Sequence, residues 1–252
     1  HGEAEGYFAD ASSADAFEDE LAFLLVSQRG AFNSPVWFNV GLFDAYGIKG
    51  SGGNFYYNEK KGTPEELDSG YRRPQASACF IQSVDDSLGS IFELASNESR
   101  IFKYGSGTGT NFSSIRGAME KLSGGGTSSG LMSFLEVLDR GAGATKSGGT
   151  TRRAAKMVCL DVDHPEIEEF VNWKLKEERK VAALVAAGYS NDFNGEAYRT
   201  VAGQNSNNSV RLSDDFMHAV VEDKPWETRL RTTGEVHKTL RARDLFAQIA
   251  HA

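Results

Sequence analysis

Residues 77–116 read SACFIQSVDDSLGSIFELASNESRIFKYGSGTGTNFSSIR, and their pattern predicts the central unit of the fold. The run Cys79-Phe80-Ile81 is short, apolar and β-prone, so it predicts a strand that carries the cysteine. Asp85 and Asp86 follow, and their side-chain oxygens can accept the free backbone donors of a helix that begins near Ser87. A strand that leads directly into a helix is the basic unit of an α/β fold.

The predicted helix should bury one face, because apolar residues recur at helical spacing at Leu88, Ile91, Phe92, Ala95 and Phe102. Gly105 supplies the left-handed residue that ends it. Gly107 and Gly109 then let the backbone approach a ligand closely, and Arg116 is a permanently charged donor suited to phosphate. This spacing favours a nucleotide or phosphate site. The alternative is structural, because strand cysteines are commonly inert buried hydrophobes and exposed arginines are commonly only solvated.

Composition narrows the class of protein. The 252 residues are 40% hydrophobic, enough for a sizeable core in one large domain or two small ones. The net charge of −8 argues against a nucleic-acid polymer as partner. Two cysteines make no disulfide framework, and no apolar run approaches the roughly 20 residues of a membrane span. We therefore expect a cytoplasmic protein without membrane contact. The first residue is His1 and the last helical pattern runs to Ala252, so we expect an internal fragment.

The first 73 residues predict scaffold and loop. Apolar residues between Ala14 and Arg29 form one helical face that ends at Gly30. Pro35 should keep Ser34 extended with its hydroxyl free, as a turn residue or a phosphate contact. The polar, glycine-rich residues 47–73 predict a long surface loop.

A second amphipathic helix is predicted after Gly124, with apolar residues between Leu131 and Leu138, and it should end at Gly141. It can pack against the first helix or against a partner subunit. Residues 141–153 then predict a mobile loop with three cations. This loop is not a P-loop, because Thr145 occupies the position directly before the lysine where that motif requires glycine.

Strands and helices continue to alternate in the rest of the chain, which makes the predicted fold class α/β. Residues 155–162 predict a buried strand that contains Cys159, followed by a helix for which His164 serves as a cap rather than a metal ligand. The amide-rich residues 203–209 suggest a solvated turn or, alternatively, hydrogen bonds to a substrate. Residues 226–240 predict a hairpin.

Seven motifs occur in order along the chain: NSP at 33, SACF at 77, DDSL at 85, GTGTNFSSIR at 107, GGTTRRAA at 148, DVDHPEIEEF at 161 and GQNSNNSV at 203. Together they resemble the adenosylcobalamin-dependent, class II ribonucleotide reductases over nearly the whole chain. The resemblance implies the first part of a ten-stranded α/β barrel at 33–252, preceded by a helical segment at 1–32. It also implies conversion of ribonucleotides into 2′-deoxyribonucleotides by thiyl-radical chemistry.

The resemblance assigns substrate roles to four positions. Cys79 matches the redox-active cysteine that supplies reducing equivalents to the ribose and becomes half of a disulfide. Ser34 matches a residue that binds the substrate diphosphate, Ala78 is the neighbour of the cysteine, and Gly107 lines the substrate pocket with its backbone.

Other positions match the site for a deoxynucleoside triphosphate effector, which selects the substrate. Asp86, Ser87 and Leu88 match the start of the effector-binding helix, and Arg116 matches the arginine that holds the effector phosphates. A specificity loop that relays effector identity to the substrate matches Gly148, Gly149, Thr150, Thr151, Arg152 and Arg153. The resemblance further implies a thioredoxin-type or dithiol reductant, a possible homodimer through the effector-site helices, and no metal site.

One part of the family pattern is absent. The thiyl radical of the family forms on a cysteine in an Asn-x-Cys-x-Glu motif, and neither Cys79 nor Cys159 has those neighbours. We expect that cysteine, the second redox cysteine and most adenosylcobalamin contacts to lie beyond Ala252. A nucleotide-binding regulatory module or a fragment of a glycyl-radical enzyme barrel are the alternative functions. An Asn-x-Cys-x-Glu motif downstream would decide for the reductase.

Overall fold

The computed structural model describes residues 6–50, 52–103, 105–145, 155–193 and 195–252. The helices are α1 (Ala11–Val26), α2 (Ser34–Asn39), α3 (Leu88–Lys103), α4 (Gly130–Ala144), α5 (Ile167–Ala186), α6 (Glu196–Thr200), α7 (Asp214–Val221) and α8 (Ala242–His251). The strands are β1 (Asn54–Asn58), β2 (Thr63–Leu67), β3 (Cys79–Gln82), β4 (Gly107–Asn111), β5 (Lys156–Asp161), β6 (Ser206–Arg211), β7 (Pro225–Arg229) and β8 (Val236–Arg241). The predicted α/β class is confirmed.

The centre of the fold is a four-stranded parallel sheet in the order β3-β4-β5-β6. Parallel neighbours need a crossover connection, and α3, α4 and the α5–α6 pair provide the three crossovers. Antiparallel hairpins flank this sheet, β1 with β2 and β7 with β8. In the described part of the chain the four parallel strands form an open sheet and not a closed barrel.

The two faces of the sheet have different surroundings. One face packs against the helices, and its core includes Val158 and Leu160 of β5 with Leu94 of α3 and Leu135 of α4. Alternate residues of each strand point to the other face. That face is open among the described residues, because Ile81 is 86% exposed and Met157 is 47% exposed. We call it the open face.

The N-terminal part differs from two predictions. Ser34 is not extended but is the first residue of α2, since proline is tolerated in the first helical turn, where its missing N–H has no acceptor to lose. Residues 47–73 are not one loop, because they contain the hairpin of β1 and β2, in which Tyr56 is opposite Glu65. The predicted first helix is confirmed as α1, but it has no buried residue.

Helix α3 is confirmed, with a different cap and a different buried face. Ser87, not the two aspartates, accepts the Ser90 N–H at 3.2 Å through its hydroxyl. Ile91, Leu94 and Phe102 are buried, while Leu88 and Phe92 are exposed. Gly105 has the predicted left-handed conformation, with φ +82°.

The later elements match the predicted order with shifted ends. Helix α4 continues three residues beyond Gly141 and packs against α3. His164 accepts the Glu166 N–H at 3.1 Å, in a cap position before α5. The amide-rich segment is only partly a turn, because β6 begins at Ser206. The hairpin at 226–240 is confirmed. None of the helices in the described ranges has the length and apolar character of a membrane span.

Candidate functional site

The candidate site is the open face of the parallel sheet. Sheet register places on this face Cys79 and Ile81 of β3, Gly107 and Gly109 of β4, Met157 and Cys159 of β5, and Asn207 and Ser209 of β6. Glycine at two alternate positions of β4 leaves no side chain between those of β3 and β5, although both glycines are themselves buried by their neighbours. The arrangement is a shallow floor with a thiol at one side and amide and hydroxyl groups at the other.

Cys79 and Gly107 are adjacent on this floor. They are direct partners in the register of β3 and β4, and the Gly107 N–H donates to the Ala78 carbonyl at 2.7 Å. A Cβ atom on Gly107 would lie 2.8 Å from the Ala155 carbonyl oxygen and 3.5 Å from the Cys79 sulfur. Any side chain at position 107 would therefore displace the neighbouring strand. The Cys79 thiol is exposed, which excludes the alternative of a buried inert cysteine for this chain as described.

Cys159 shares the open face but is too far away to form a disulfide with Cys79. It pairs with Asn111, four residues along β4 from Gly107, and it lies two strands away from Cys79. Strand spacing of about 4.8 Å and a rise of about 3.3 Å per residue put the two cysteines about 16 Å apart. A disulfide requires Cα atoms within about 7 Å. Burial, followed by the charge of Asp161, raises the pKa of the Cys159 thiol, which lowers its reactivity.

A polar cluster lies at the carboxyl ends of β4, β5 and β6. The Asp161 carboxylate accepts hydrogen bonds from Asn111 Nδ2 at 3.3 Å and Arg211 Nη2 at 2.5 Å, and the Asp161 N–H donates to the Ser113 hydroxyl at 2.7 Å. Burial alone would raise the pKa of Asp161, but the hydrogen bonds from these neighbours outweigh it and lower the pKa. The carboxylate is thus charged and held in place.

The predicted effector residues are brought together, and two of them contact each other. Arg116 Nε donates to Asp86 Oδ2 at 2.6 Å, and its backbone N–H donates to Asp86 Oδ1 at 3.3 Å. Arg116 Nη1 also donates to the Lys121 carbonyl at 2.9 Å. Ser87 caps α3 beside this pair, and Leu88 is exposed. The arginine is therefore fixed at the start of α3, with its guanidinium partly exposed.

A buried ion pair was not predicted. Lys156, the first residue of β5, contacts Glu98 in the middle of α3, and both side chains are almost fully buried. Glu98 also accepts the Thr108 hydroxyl at 3.2 Å, and the ammonium lies 5.1 Å from the Phe112 ring centroid. Burial lowers the pKa of Lys156, and the Glu98 charge opposes this shift. The ion pair and the Thr108 hydrogen bond thereby attach α3 to β5 and β4. They lie on the face of the sheet that packs against the helices, which we call the covered face.

Comparison with known proteins identifies the family. A family model described as "Ribonucleotide reductase, barrel domain" matches residues 77–249. The chain belongs to this family. The matched range contains the whole parallel sheet and the helices that cross between its strands.

Several relatives have informative names. A protein of Agrobacterium fabrum named vitamin B12-dependent ribonucleotide reductase is 46% identical over 98% of the chain and 25% of its own length. One of Rhodopirellula baltica with the same name is 52% identical over 90% of the chain and 22% of its own length. A vitamin B12-dependent ribonucleoside-diphosphate reductase of Mycobacterium tuberculosis is 31% identical over 75% of the chain. The chain spans about a quarter of the length of these relatives.

Some predicted site residues belong neither to the open face nor to the effector residues at the start of α3. Ser34 is exposed at the first position of α2, and its contact with a diphosphate stays a prediction. The specificity-loop residues lie outside the described residues, namely Gly148, Gly149, Thr150, Thr151, Arg152 and Arg153. Glu98 and Lys156 have no sequence signal, because they are 58 positions apart and neither belongs to a motif.

Proposed function

We propose that the chain forms one wall of the active site of a vitamin B12-dependent ribonucleotide reductase, which converts ribonucleoside diphosphates or triphosphates into 2′-deoxyribonucleotides. The observation that carries the proposal is the exposed Cys79 thiol beside the bare backbone of Gly107. A ribose can approach a thiol only where no side chain stands between them. Gly107 and Gly109 meet this requirement on the open face.

Cys79 acts as one of two reducing thiols in this proposal. The 2′ hydroxyl of the ribose leaves as water, and two thiols give up two electrons and two protons as they become a disulfide. An external dithiol or thioredoxin-type protein then reduces the disulfide. Cys159 does not supply the second thiol, since the sheet separates the Cα atoms of the two cysteines by about 16 Å. The second cysteine therefore belongs to the part of the enzyme outside this chain, as does the cysteine that carries the thiyl radical.

Substrate contacts are proposed at Ser34 and on the open face beside Cys79. Ser34 binds the diphosphate, and the backbone of Ala78 and Gly107 lines the sugar pocket. Their support is the hydrogen bond between Gly107 and Ala78, which fixes the floor next to the thiol.

The start of α3 is proposed to bind a deoxynucleoside triphosphate that controls substrate choice. Arg116 holds its phosphates, and Asp86 orients the arginine through the two hydrogen bonds described above. The segment 148–153 relays effector identity to the substrate. Exposed apolar side chains on α3 and α4, including Leu88, Phe92 and Val137, support a homodimer that forms through these two helices.

The complete fold is proposed to be a ten-stranded barrel whose interior is the open face, with residues 1–32 as a preceding helical segment and 33–252 as the first part of the barrel. The protein acts in the cytoplasm. Adenosylcobalamin would supply the radical that starts the reaction. The described residues do not enclose this cofactor: two of their cavities, about 390 and 650 Å³, are of the size that holds much smaller ligands. We therefore place most of its contacts outside this chain.

Replacement of Cys79 by serine in the full-length enzyme tests the function. The two side chains are similar in size, so the variant should fold and bind effector, and it should still cleave adenosylcobalamin. It should yield no deoxynucleotide over repeated cycles, because serine cannot form a disulfide. Cys159→Ser is the matched control, since it removes the other thiol of the same face and should leave turnover intact.

A thiol count after one turnover without external reductant gives a second measurement. The parent enzyme and Cys159→Ser should each lose two free thiols, and Cys79→Ser should lose none. Near-normal deoxynucleotide production by Cys79→Ser would remove Cys79 from the mechanism.

A further inference from the structure

The last turns of α4 hold the segment that leads into β6. The two carboxylate oxygens of Asp139 accept one backbone N–H each, from Gly203 at 2.8 Å and from Asn205 at 2.9 Å. The Asp139 carbonyl also accepts Asn205 Nδ2 at 3.2 Å. Asp139 is 1% exposed, so these bonds are shielded from water. A carboxylate that accepts two buried N–H groups fixes both strongly, because charge-assisted hydrogen bonds are about twice as strong as neutral ones.

Neighbouring residues of α4 tighten the same connection. Gly143, one turn later, packs so closely on Asn205 that a Cβ atom would lie 2.7 Å from Nδ2. Arg140 donates to the carbonyls of Arg199 and Thr200, at 2.6 and 2.9 Å. One face of a single helix thus positions the backbone from 199 to 205. The chain then enters β6 directly at Ser206.

Helix α4 and residues 199–205 connect the proposed effector residues to the open face of the sheet, and all of these residues are described by the structure. At one end, α4 packs against α3, where the proposed effector residues lie. At the other end, β6 presents Asn207 on the open face, in register with Met157 of β5. Asn207 is exposed, with an amide that can donate and accept hydrogen bonds.

We propose that Asp139 is a positioning residue that couples α4 to β6, so that effector binding at α3 and α4 changes the position of Asn207 on the open face. Asp139 touches neither ligand; its carboxylate holds the backbone of Gly203 and Asn205, and its charge also favours the protonated forms of Lys156 and Lys174. The inference rests on the proposed function, because it requires an effector at α3. It extends that function by naming a mechanical link between the effector helices and the substrate face.

The test uses full-length enzyme with Asp139→Asn. Asparagine has nearly the same shape, but its NH₂ group faces one of the two N–H donors, so one hydrogen bond is lost. Glu136→Gln is the matched control, since it removes one charge from an exposed position of the same helix. Gly143→Ala is a second variant, which displaces Asn205 by contact and retains the carboxylate.

The first measurement is the factor by which each deoxynucleoside triphosphate changes kcat/KM for its preferred substrate. Such coupling factors are typically about 5–150-fold. The factor should fall to about two-fold or less in Asp139→Asn and decrease in Gly143→Ala, and it should keep its parent value in Glu136→Gln. Effector affinity measured without substrate should change by less than about three-fold, because Asp139 lies outside the effector site and coupling appears only when both ligands are bound.

The second measurement is hydrogen exchange with dATP, dGTP, dCTP and dTTP added in turn. In the parent enzyme an effector should change protection at residues 87–92 and at residues 203–211. In Asp139→Asn the change at 87–92 should persist and the change at 203–211 should disappear. A variant that keeps both changes and the full coupling factor would overturn the role of Asp139. Absence of any change at 87–92 in the parent enzyme would instead overturn the proposed effector site, and this inference with it.

Discussion

Replacement of Glu98 by glutamine should destabilise the chain strongly, because it leaves the ammonium of Lys156 buried without its counter-charge. Lys156 is 1% exposed; it contacts Glu98, lies near the ring of Phe112, and is also within the influence of the Asp139 charge, which remains in the variant. Glutamine retains the shape of glutamate and can still accept the Thr108 hydroxyl. The change therefore isolates the charge. Breaking a buried ion pair by removal of one partner costs about 3–5 kcal/mol in proteins.

The lysine can limit this cost by losing its proton. An ordinary lysine has a pKa of 10.5. Its deprotonation at pH 7 costs about 1.4 kcal/mol for each pH unit between 7 and this pKa, or about 4.8 kcal/mol in total. This value is a ceiling for the effect of Glu98→Gln at pH 7. The sign of the pH dependence follows. If the folded variant holds a neutral lysine and the unfolded chain a charged one, stability rises with pH up to about 10.5, by at most about 1.4 kcal/mol per unit.

The assay is urea unfolding of the 252-residue chain at pH 7, 8 and 9, followed by tryptophan fluorescence. The free energy lost in Glu98→Gln should be about 3–5 kcal/mol at pH 7 and should shrink towards pH 9. The double variant Glu98→Leu with Lys156→Met should recover most of the loss, because an apolar pair of similar volume needs no charge compensation. A loss below about 1 kcal/mol that does not change with pH would show that the buried charge of Lys156 does not depend on Glu98.

Two further predictions concern the loop after β4. Arg116→Ala in the full-length enzyme should weaken effector binding about ten-fold or more, since a charge-assisted phosphate contact contributes about 1.5–3 kcal/mol, while substrate affinity should change little. Calorimetry measures both affinities, with exposed Arg100→Ala as the control. Unchanged effector affinity would place Arg116 outside the effector site. His164 is buried with Nε2 donating to the Ile115 carbonyl and Nδ1 accepting the Glu166 N–H, and burial lowers its pKa from 6.5 to about 4. The neutral His164 therefore contributes about 3 kcal/mol of stability above pH 6.5, and this contribution is lost as pH falls to 4. In urea titrations between pH 7 and 4, the free energy of unfolding should fall more steeply with pH in the parent chain than in His164→Gln. Equal slopes would contradict this prediction.

Local patterns in the sequence predict strands β3 and β5 and the crossover helices α3, α4 and α5, but not strand β4, whose segment GTGTN lacks an apolar or alternating pattern. Cys79 lies in a strand, Gly105 ends a helix, and the hairpin at 226–240 forms, because each depends on a few adjacent residues. The buried face of α3 was less predictable. Its apolar stripe is wide, and periodicity cannot tell which part contacts the core of the same chain. Leu88 and Phe92 lie on the part that remains exposed.

Contacts between distant parts of the sequence have no local signal. The sequence predicts Asp86 as a helix cap, yet it pairs with Arg116, thirty positions later. Asp139 accepts N–H groups from residues 64 and 66 positions away. Such partners are fixed by how the crossover helices lie on the sheet, and the sequence has no short-range pattern that reports this.

Strand β4 shows how one short segment serves both sides of the sheet. Gly107 lies on the open face against Cys79, and the next residue, Thr108, lies on the covered face, where its hydroxyl donates to Glu98 of α3. The backbone N–H of Thr108 also donates to Ala155 at 2.9 Å, the carbonyl that a side chain at position 107 would meet. A shift of α3 that moves Glu98 therefore strains its hydrogen bond with Thr108. Thr108 directly follows Gly107, which lies beside the Cys79 thiol. We expect Glu98→Gln, in addition to its effect on stability, to change the reactivity of Cys79 toward a small alkylating reagent more than that of Cys159.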